Sequence, residues 1–219
     1  MPIDLVYREG ITEITLDQVR AARQAGYVGT LLASCERVVS ADGTEGVSAR
    51  VYPAMVPDTH PLAAVHGANN AVFVEAELAG PLMFYGAGAG GVQTSSAVLG
   101  DLVSAARRHV IGGPGVAEST HATFPILPIS EIRTRYHISL EITDAPGVLA
   151  DIASIFATHG VSVESVEQKP AGADGQSATA TLVIGTHEAI EADLAATVAA
   201  LEASAVVQRV VGVIRMEGL

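Results

Sequence analysis

Residues 138–169 read ISLEITDAPGVLADIASIFATHGVSVESVEQK. The first six residues alternate apolar and polar side chains, which is typical of a half-buried strand. A helical pattern follows, opened by Asp144 and Pro146 and closed by Gly160, because proline suits the first turn of a helix and glycine the position after its end. A second alternating run begins after that glycine. The stretch therefore predicts a strand, a helix and a second strand.

The rest of the C-terminal part continues this pattern. A third strand is predicted for ATATLVIGT, a helix with one apolar stripe for HEAIEADLAATVAALEAS, and a last strand for VVQRVVGVIRM. The order β-α-β-β-α-β is that of the split ferredoxin-like unit. We place this domain at residues 135–219.

The N-terminal part has a different pattern. A short helix is predicted in ITLDQVRAARQAG, with Thr15 as its N-cap and Gly26 at its end. Two strands joined by an Asp42-Gly43 turn are predicted next, and two more in NAVFVEAELAG and LMFYGAG. We place this part at residues 1–117 and a proline-rich linker at 118–134. The predicted fold class is α+β: an antiparallel or mixed sheet with helices, followed by the ferredoxin-like domain.

Composition excludes several classes of function. The chain has 24 acidic and 12 basic residues, which argues against nucleic acid or an anionic membrane as the partner. Its one cysteine, Cys35, allows no disulfide within the chain and is expected to be a buried small apolar residue. The histidine spacing predicts no metal site. With neither a signal peptide nor an apolar run of about 20 residues, we predict a cytoplasmic protein.

A glycine segment stands before a predicted helix at residues 84–102, FYGAGAGGVQTSSAVLGDL. Gly86, Gly88 and Gly91 have the spacing G-x-G-x-x-G, but no second parallel strand with an acidic end follows, so the dinucleotide-binding fingerprint is not predicted. We predict a helix over residues 94–109, capped by a side chain within Thr94–Ser96. Two interpretations stay open: a tight strand-to-helix turn, or backbone N–H groups that approach an anionic ligand.

Three stretches of the N-terminal part carry a resemblance to a known family. The stretch VYREGITEI, the stretch AGYVGTLLA and the long segment from HPLAAV to LGDLV closely resemble bacterial homoserine dehydrogenase, in its substrate-binding and dimerisation part. The most specific element is Tyr-Gly-x-Gly-Ala-Gly with its following helix. This resemblance implies that Gly86, Gly88 and Gly90 bind the nicotinamide cofactor, with Gly90 in contact with it.

The resemblance also implies what the chain does not contain. The family's dinucleotide-binding domain and the segment with its catalytic lysine would lie outside these residues, so no catalytic residue is predicted here. The complete enzyme interconverts L-homoserine and L-aspartate 4-semialdehyde with NAD(P)(H), in threonine, methionine and isoleucine biosynthesis. The chain alone is expected to be an inactive fragment that binds no NAD(P).

The C-terminal domain resembles the ACT domain, a regulatory module that binds amino acids. The resemblance rests on Asp144-x-Pro146-Gly147 and on Gly160, and implies effector binding by Asp144, Pro146, Gly147 and Ser162. N–H groups at the helix start can take a ligand carboxylate. Asp144 either accepts the ligand ammonium or serves only as a helix N-cap. Ser162 stands where many such domains carry a ligand-binding asparagine.

Regulation and assembly follow from the same resemblance. Feedback inhibition is implied, with threonine as the favoured effector. ACT domains commonly pair side by side through exposed strands, so a homodimer or a higher homo-oligomer is expected. The alternative function is a stand-alone, dimeric, amino-acid-binding regulatory module without catalysis.

Overall fold

The computed structural model describes residues 3–40, 42–112, 123–170 and 179–218. The chain divides into two compact units, one of Met1–Pro57 with Phe124–Leu219 and one of Asp58–Thr123. The helices and strands, in chain order, are β1 (Tyr7–Arg8), α1 (Leu16–Gln24), β2 (Tyr27–Val39), β3 (Glu45–Pro57), β4 (Asn69–Ala76), β5 (Gly80–Ala87), α2 (Gly91–Ile111), β6 (Arg133–Thr143), α3 (Val148–Thr158), β7 (Val163–Pro170), β8 (Thr179–Thr186), β9 (Ala189–Ile190), α4 (Glu191–Glu202) and β10 (Val207–Met216).

The C-terminal elements form the predicted ferredoxin-like arrangement. Their strands lie in the order β10-β6-β8-β7, and all three pairings are antiparallel. The inward side chains of β6 and β8 pack against α3 and α4, and Ile138, Leu140, Leu182 and Leu194 are fully buried among them. The predicted α+β class is confirmed, because a mixed sheet precedes and joins this domain.

Strand β3 joins the N-terminal strands to the sheet of the ferredoxin-like domain. This strand pairs along its whole length with β2 in an antiparallel hairpin. Its other edge pairs in parallel with β1 and, over the two pairs Arg215↔Ala54 and Met216↔Met55, with β10. The first 57 residues therefore pack with the ferredoxin-like domain in one unit. The two compact units divide the chain after Pro57 and after Thr123, and not at the predicted boundaries of 117 and 134.

The part of the predicted linker that the structure describes is also paired. The N–H of Val47 donates to the carbonyl of Pro125 at 2.8 Å, and the N–H of Leu127 donates to the carbonyl of Val47 at 3.0 Å. The Leu127 side chain lies where a Cβ on Gly46 would be. Residues 125–127 thus run beside β3 instead of bridging open space.

Helix α1 covers the second face of the extended sheet. Thr15 is its N-cap, as predicted, and forms a capping box with Gln18. Ala22 is buried and packs with Met55 and Met216. Cys35 lies on β2 and is exposed, so the expectation of burial was wrong. Within the described residues β2 pairs only with β3, and Cys35 lies on this open edge strand.

The second unit contains the β4–β5 hairpin and α2. The helix begins at Gly91, three residues before the predicted start, with Gly90 as N-cap. The prediction that Thr94–Ser96 cap the helix was wrong, because these residues lie inside its first turns. The Ser95 hydroxyl instead donates to the Gly91 carbonyl at 2.6 Å. No residue of α2 is buried, and no helix among the described residues is long and apolar enough to cross a membrane.

Candidate functional site

The glycine segment is held by the neighbouring strand until just before α2. Gly86 lies opposite Asn70 in the β4–β5 register. The N–H of Gly88 donates to the carbonyl of Ala68 at 2.9 Å. The structure thus brings Gly86, Gly88 and Gly90 together in one exposed strand-to-helix connection.

At two of these three positions the structure disfavours a side chain. The Asn70 side chain fills the place where a Cβ on Gly88 would lie. Gly90 has a φ of 143°, which side chains rarely tolerate, and the Gln93 side chain fills the place of its Cβ. A Cβ on Gly86 would meet no atom within 4 Å, so the fold of this chain alone does not demand glycine there.

The start of α2 is suited to an anionic or polar ligand. The first N–H groups of any helix lack a partner within it, and Gly90 supplies no side-chain cap. The first turn of α2 carries no acidic side chain, so nothing there opposes the positive end of the helix dipole. The connection can therefore present backbone N–H groups to a ligand at close range.

The loop between β6 and α3 differs from its predicted form. Helix α3 begins at Val148, and its N-cap is Gly147 with a φ of 94°. Pro146 therefore precedes the helix and does not occupy its first turn. Asp144 is not an N-cap either; its carboxylate accepts a hydrogen bond from the Gln168 amide on β7 at 3.4 Å. Of the two roles considered for Asp144, the N-cap is wrong.

The structure separates Ser162 from Asp144. Ser162 comes directly before β7, where its carbonyl accepts a hydrogen bond from the His187 N–H at 2.9 Å. Gln168, which contacts Asp144, lies six residues further along the same strand. At about 3.3 Å per residue, roughly 20 Å separate the two ends. Within one copy of the chain, the two predicted effector residues lie at opposite ends of β7.

A buried polar cluster lies where β10 meets β1 and β3, and sequence reasoning missed it. Its centre is Arg215, whose side chain is 11% exposed. The guanidinium donates to Glu191 at 2.5 and 2.9 Å and to Glu9 at 2.6 Å. It also lies over the rings of Tyr7, Tyr52 and Tyr136, at 5.2, 4.7 and 5.6 Å from their centroids. We call these six residues the Arg215 cluster.

A second arginine forms an ion pair across the same junction, but here the arginine lies on β3 and its partner directly after β10. Arg50 on β3 is 3% exposed and forms ion pairs with Glu36 at 2.5 Å and with Glu217 at 3.1 Å. Its Nε donates to the Tyr52 hydroxyl at 2.7 Å, and that hydroxyl in turn donates to Glu217. The one signal in the sequence was an arginine inside each of two otherwise apolar strand patterns, SARVYPAMV and VVGVIRM.

Burial and neighbouring charges shift the pKa values of the tyrosines and the arginine in this cluster. Burial, and then the charge of Glu191, raise the pKa of Tyr136. Burial, and then the charge of Glu217, raise the pKa of Tyr52. Burial acts to lower the pKa of Arg215, but its hydrogen bond and charge interaction with Glu191 act against this, and the net direction is upward. The tyrosines therefore stay neutral and the arginine charged at physiological pH.

Comparison with known proteins confirms both resemblances. A family model described as homoserine dehydrogenase matches residues 1–103, and an ACT domain model matches residues 136–205. The chain is 48% identical over 214 residues to homoserine dehydrogenase of Corynebacterium glutamicum and 51% identical over 216 residues to that of Mycobacterium tuberculosis. These alignments cover 98% of this chain but 47% and 49% of the relatives, so the chain spans about half their length.

Solved structures agree with these matches. The crystal structure of a homoserine dehydrogenase from Thiobacillus denitrificans superposes with a TM-score of 0.86 at 35% identity, over 98% of this chain and 48% of that one. A Staphylococcus aureus homoserine dehydrogenase, at 24% identity over 100% of this chain and 49% of that one, shares the fold with a TM-score of 0.61. The chain therefore belongs to the homoserine dehydrogenase family and carries an ACT domain in its C-terminal part.

Proposed function

We propose that this chain forms the cofactor-facing and regulatory half of a homoserine dehydrogenase, which interconverts L-homoserine and L-aspartate 4-semialdehyde with NAD(P)(H) in the cytoplasm. The observation that carries the proposal is the glycine segment. An added Cβ at Gly88 would displace the Asn70 side chain, and the φ of 143° at Gly90 disfavours any side chain. An uncapped helix of 21 residues follows, and the homoserine dehydrogenase model matches this part of the chain.

The residues present fit one side of a nicotinamide cofactor. When bound, NAD(P) supplies the hydride acceptor or donor for the reaction. The role of this chain is to bind and orient: Gly86, where an added Cβ would meet no atom within 4 Å, leaves room for a flat ligand to approach the backbone, and the N–H groups at the start of α2 offer hydrogen bonds. Exposed apolar side chains along α2, including Val98, Leu99 and Leu102, fit a helix that the other half of the enzyme covers.

Steady-state kinetics of the complete enzyme test this role. Gly90→Ala is expected to lower kcat/KM for NADP by about tenfold or more, because a Cβ at a φ of 143° displaces the segment. Gly100→Ala is the matched control, since this glycine lies in the same helix with no atom within 4 Å of an added Cβ. Equal kinetics for Gly90→Ala and the unchanged enzyme would refute the assignment. The isolated chain is expected to show no homoserine-dependent reduction of NADP.

For the ACT domain we propose an amino-acid effector, with threonine favoured, bound between two copies of the chain. The N–H groups that follow Gly147 can take the effector carboxylate, and Asp144 its ammonium. Strand β7 is the edge of the sheet, and its Val166 is 55% exposed. Antiparallel pairing of two β7 strands would bring Asp144 of one copy near Ser162 of the second, which explains why one copy separates them.

Calorimetric titration with threonine, combined with sedimentation, tests this site. One site per subunit is expected, with binding lost in Asp144→Ala and kept in Asp151→Ala, which changes an exposed acid in the first turn of α3. Val166→Lys places a charge on the pairing edge and is expected to abolish dimers and threonine binding together. A monomeric Val166→Lys variant that binds threonine normally would rule out the two-copy site.

A second candidate function is a regulatory module without catalysis. The observation that favours it is that the ACT domain has its full set of elements and its own core within this chain, while the glycine segment supplies only one side of a cofactor site. Threonine binding by a complete protein that never turns over homoserine would select this candidate.

A further inference from the structure

We infer that Asn70 recognises the carboxamide of the nicotinamide ring, with the ring lying over Gly86. The inference rests on the proposed function and deepens it, because it names the part of the cofactor that the glycine segment meets. Asn70 lies on β4 and Gly86 on β5, and the two are directly paired in the antiparallel register. The side-chain positions of such partners lie on one face of the hairpin, about 5 Å apart. A group over Gly86 is therefore within reach of the Asn70 amide.

The space beside Asn70 is filled over one glycine and open over the other. Residues two apart along a strand share a face, so Gly86 and Gly88 both lie on the face that carries Asn70. The Asn70 amide packs over Gly88, where it fills the place of an added Cβ. A Cβ on Gly86 would meet no atom within 4 Å. The amide thus borders an open space on the backbone without filling it.

The rest of this face is apolar and uncharged. Its cross-strand pairs, in order along the hairpin, are Asn70↔Gly86, Val72↔Phe84 and Val74↔Leu82. Val72 and Phe84, next to the open space, are 61% and 63% exposed. None of these six residues carries a charge. An apolar surface with a single amide at its end fits a flat, uncharged ring that bears one polar group.

A carboxamide matches the hydrogen-bonding groups that Asn70 offers. The asparagine amide has one acceptor oxygen and two N–H donors. Within the ranges that the structure describes, no residue shares a hydrogen bond with this exposed amide. A primary carboxamide presents the same groups, so the two amides can form an N–H to carbonyl bond in each direction. The anionic phosphates of the cofactor fit instead the uncapped start of α2, which follows Gly90.

Calorimetric affinities of the complete enzyme test this contact, with NAD(P) and with the acetylpyridine analogue of the same dinucleotide. The analogue keeps the carbonyl but carries a methyl group in place of the NH2, so it loses the hydrogen bond that the Asn70 oxygen accepts. The unchanged enzyme is expected to bind NAD(P) about three- to tenfold more tightly than the analogue, and Asn70→Ala should remove this preference. Asn69→Ala is the matched control, because Asn69 is the preceding residue on β4 and lies on the opposite face; it should keep the preference.

The variant Asn70→Asp separates recognition from a structural role. Aspartate keeps an acceptor for the NH2 but has no donor for the carbonyl, which both ligands carry, so both affinities should fall while the preference stays. If Asn70→Ala leaves the preference unchanged, whether or not both affinities fall, Asn70 does not read the carboxamide and the inference is wrong. An unchanged enzyme without any preference would also overturn it. A complete enzyme that binds neither ligand would refute the proposed function itself.

Discussion

Substitution of Gly212 by alanine should disturb a helix that lies far away in the sequence. Gly212 is on β10, and the Gln18 amide occupies the place where its Cβ would be. Gln18 is 7% exposed, and its Oε1 accepts the Thr15 N–H at 2.7 Å as half of the α1 capping box. An added Cβ must push this amide away, which breaks the box and leaves a buried amide without its partner.

The expected loss of stability follows from these contacts. A lost cap costs about 1 kcal/mol, and an unsatisfied buried amide about 1–3 kcal/mol. Replacing glycine restricts the unfolded chain and offsets about 0.4–1 kcal/mol. We therefore expect Gly212→Ala to lower the free energy of unfolding by about 1–3 kcal/mol, equivalent to several degrees of Tm in a protein of this size.

Urea titration followed by circular dichroism measures this loss. Gly29→Ala on β2 is the matched control, because no atom lies within 4 Å of its added Cβ and its φ is ordinary; it should stay within about 0.5 kcal/mol of the unchanged chain. In a Gln18→Ala background, Gly212→Ala should cost almost nothing, since the clashing amide is gone. A full cost in that background would show that the clash is not the cause.

Three further outcomes are expected. Burial lowers the pKa of His137 below its ordinary 6.5, so the folded protein favours the neutral imidazole. The resulting stabilisation is complete above pH 6.5 and is lost as the pH falls through the folded pKa. Urea titrations across that pH range should therefore show a falling free energy of unfolding, and His137→Gln should lessen the fall. Leu194→Ala empties a fully buried position of the ACT core and should cost about 2–5 kcal/mol in the same titration. Gly100→Ala should stabilise α2 by up to about 1 kcal/mol, seen as slower amide exchange along this helix.

The parts of the fold that were predicted correctly depend on local patterns. Alternation, the capping residue Thr15 and the Asp42 turn each act over a few residues, and each is present in the structure. The parallel contact between β10 and β3 joins segments about 160 residues apart through two residue pairs, so no local sequence pattern predicts it. The start of α2 was missed because Thr94–Ser96 offered side-chain caps, whereas a glycine N-cap is nearly as stable and leaves no such mark.

The candidate sites show the same limit. The glycine segment was found by resemblance, but the reason for glycine at two positions is the placement of Asn70 and Gln93, which only the structure shows. Asp144 was considered as a cap because Pro146 suits a first turn; the left-handed Gly147 moves the helix start beyond both. Arg215 carried no motif, since its partners come from four separate elements.

The composition of the β10–β3 junction itself argues for a role beyond stability. Well-packed apolar residues in such a place are often as stable as a buried ion pair, or more so, because desolvation opposes the attraction of the charges. Here two arginines are buried instead, one from each side, and one carboxylate oxygen of Glu191 lacks a partner. Such charged hydrogen bonds form only when the two strands lie in one register, so we expect the cluster to fix how β10 lies against β3.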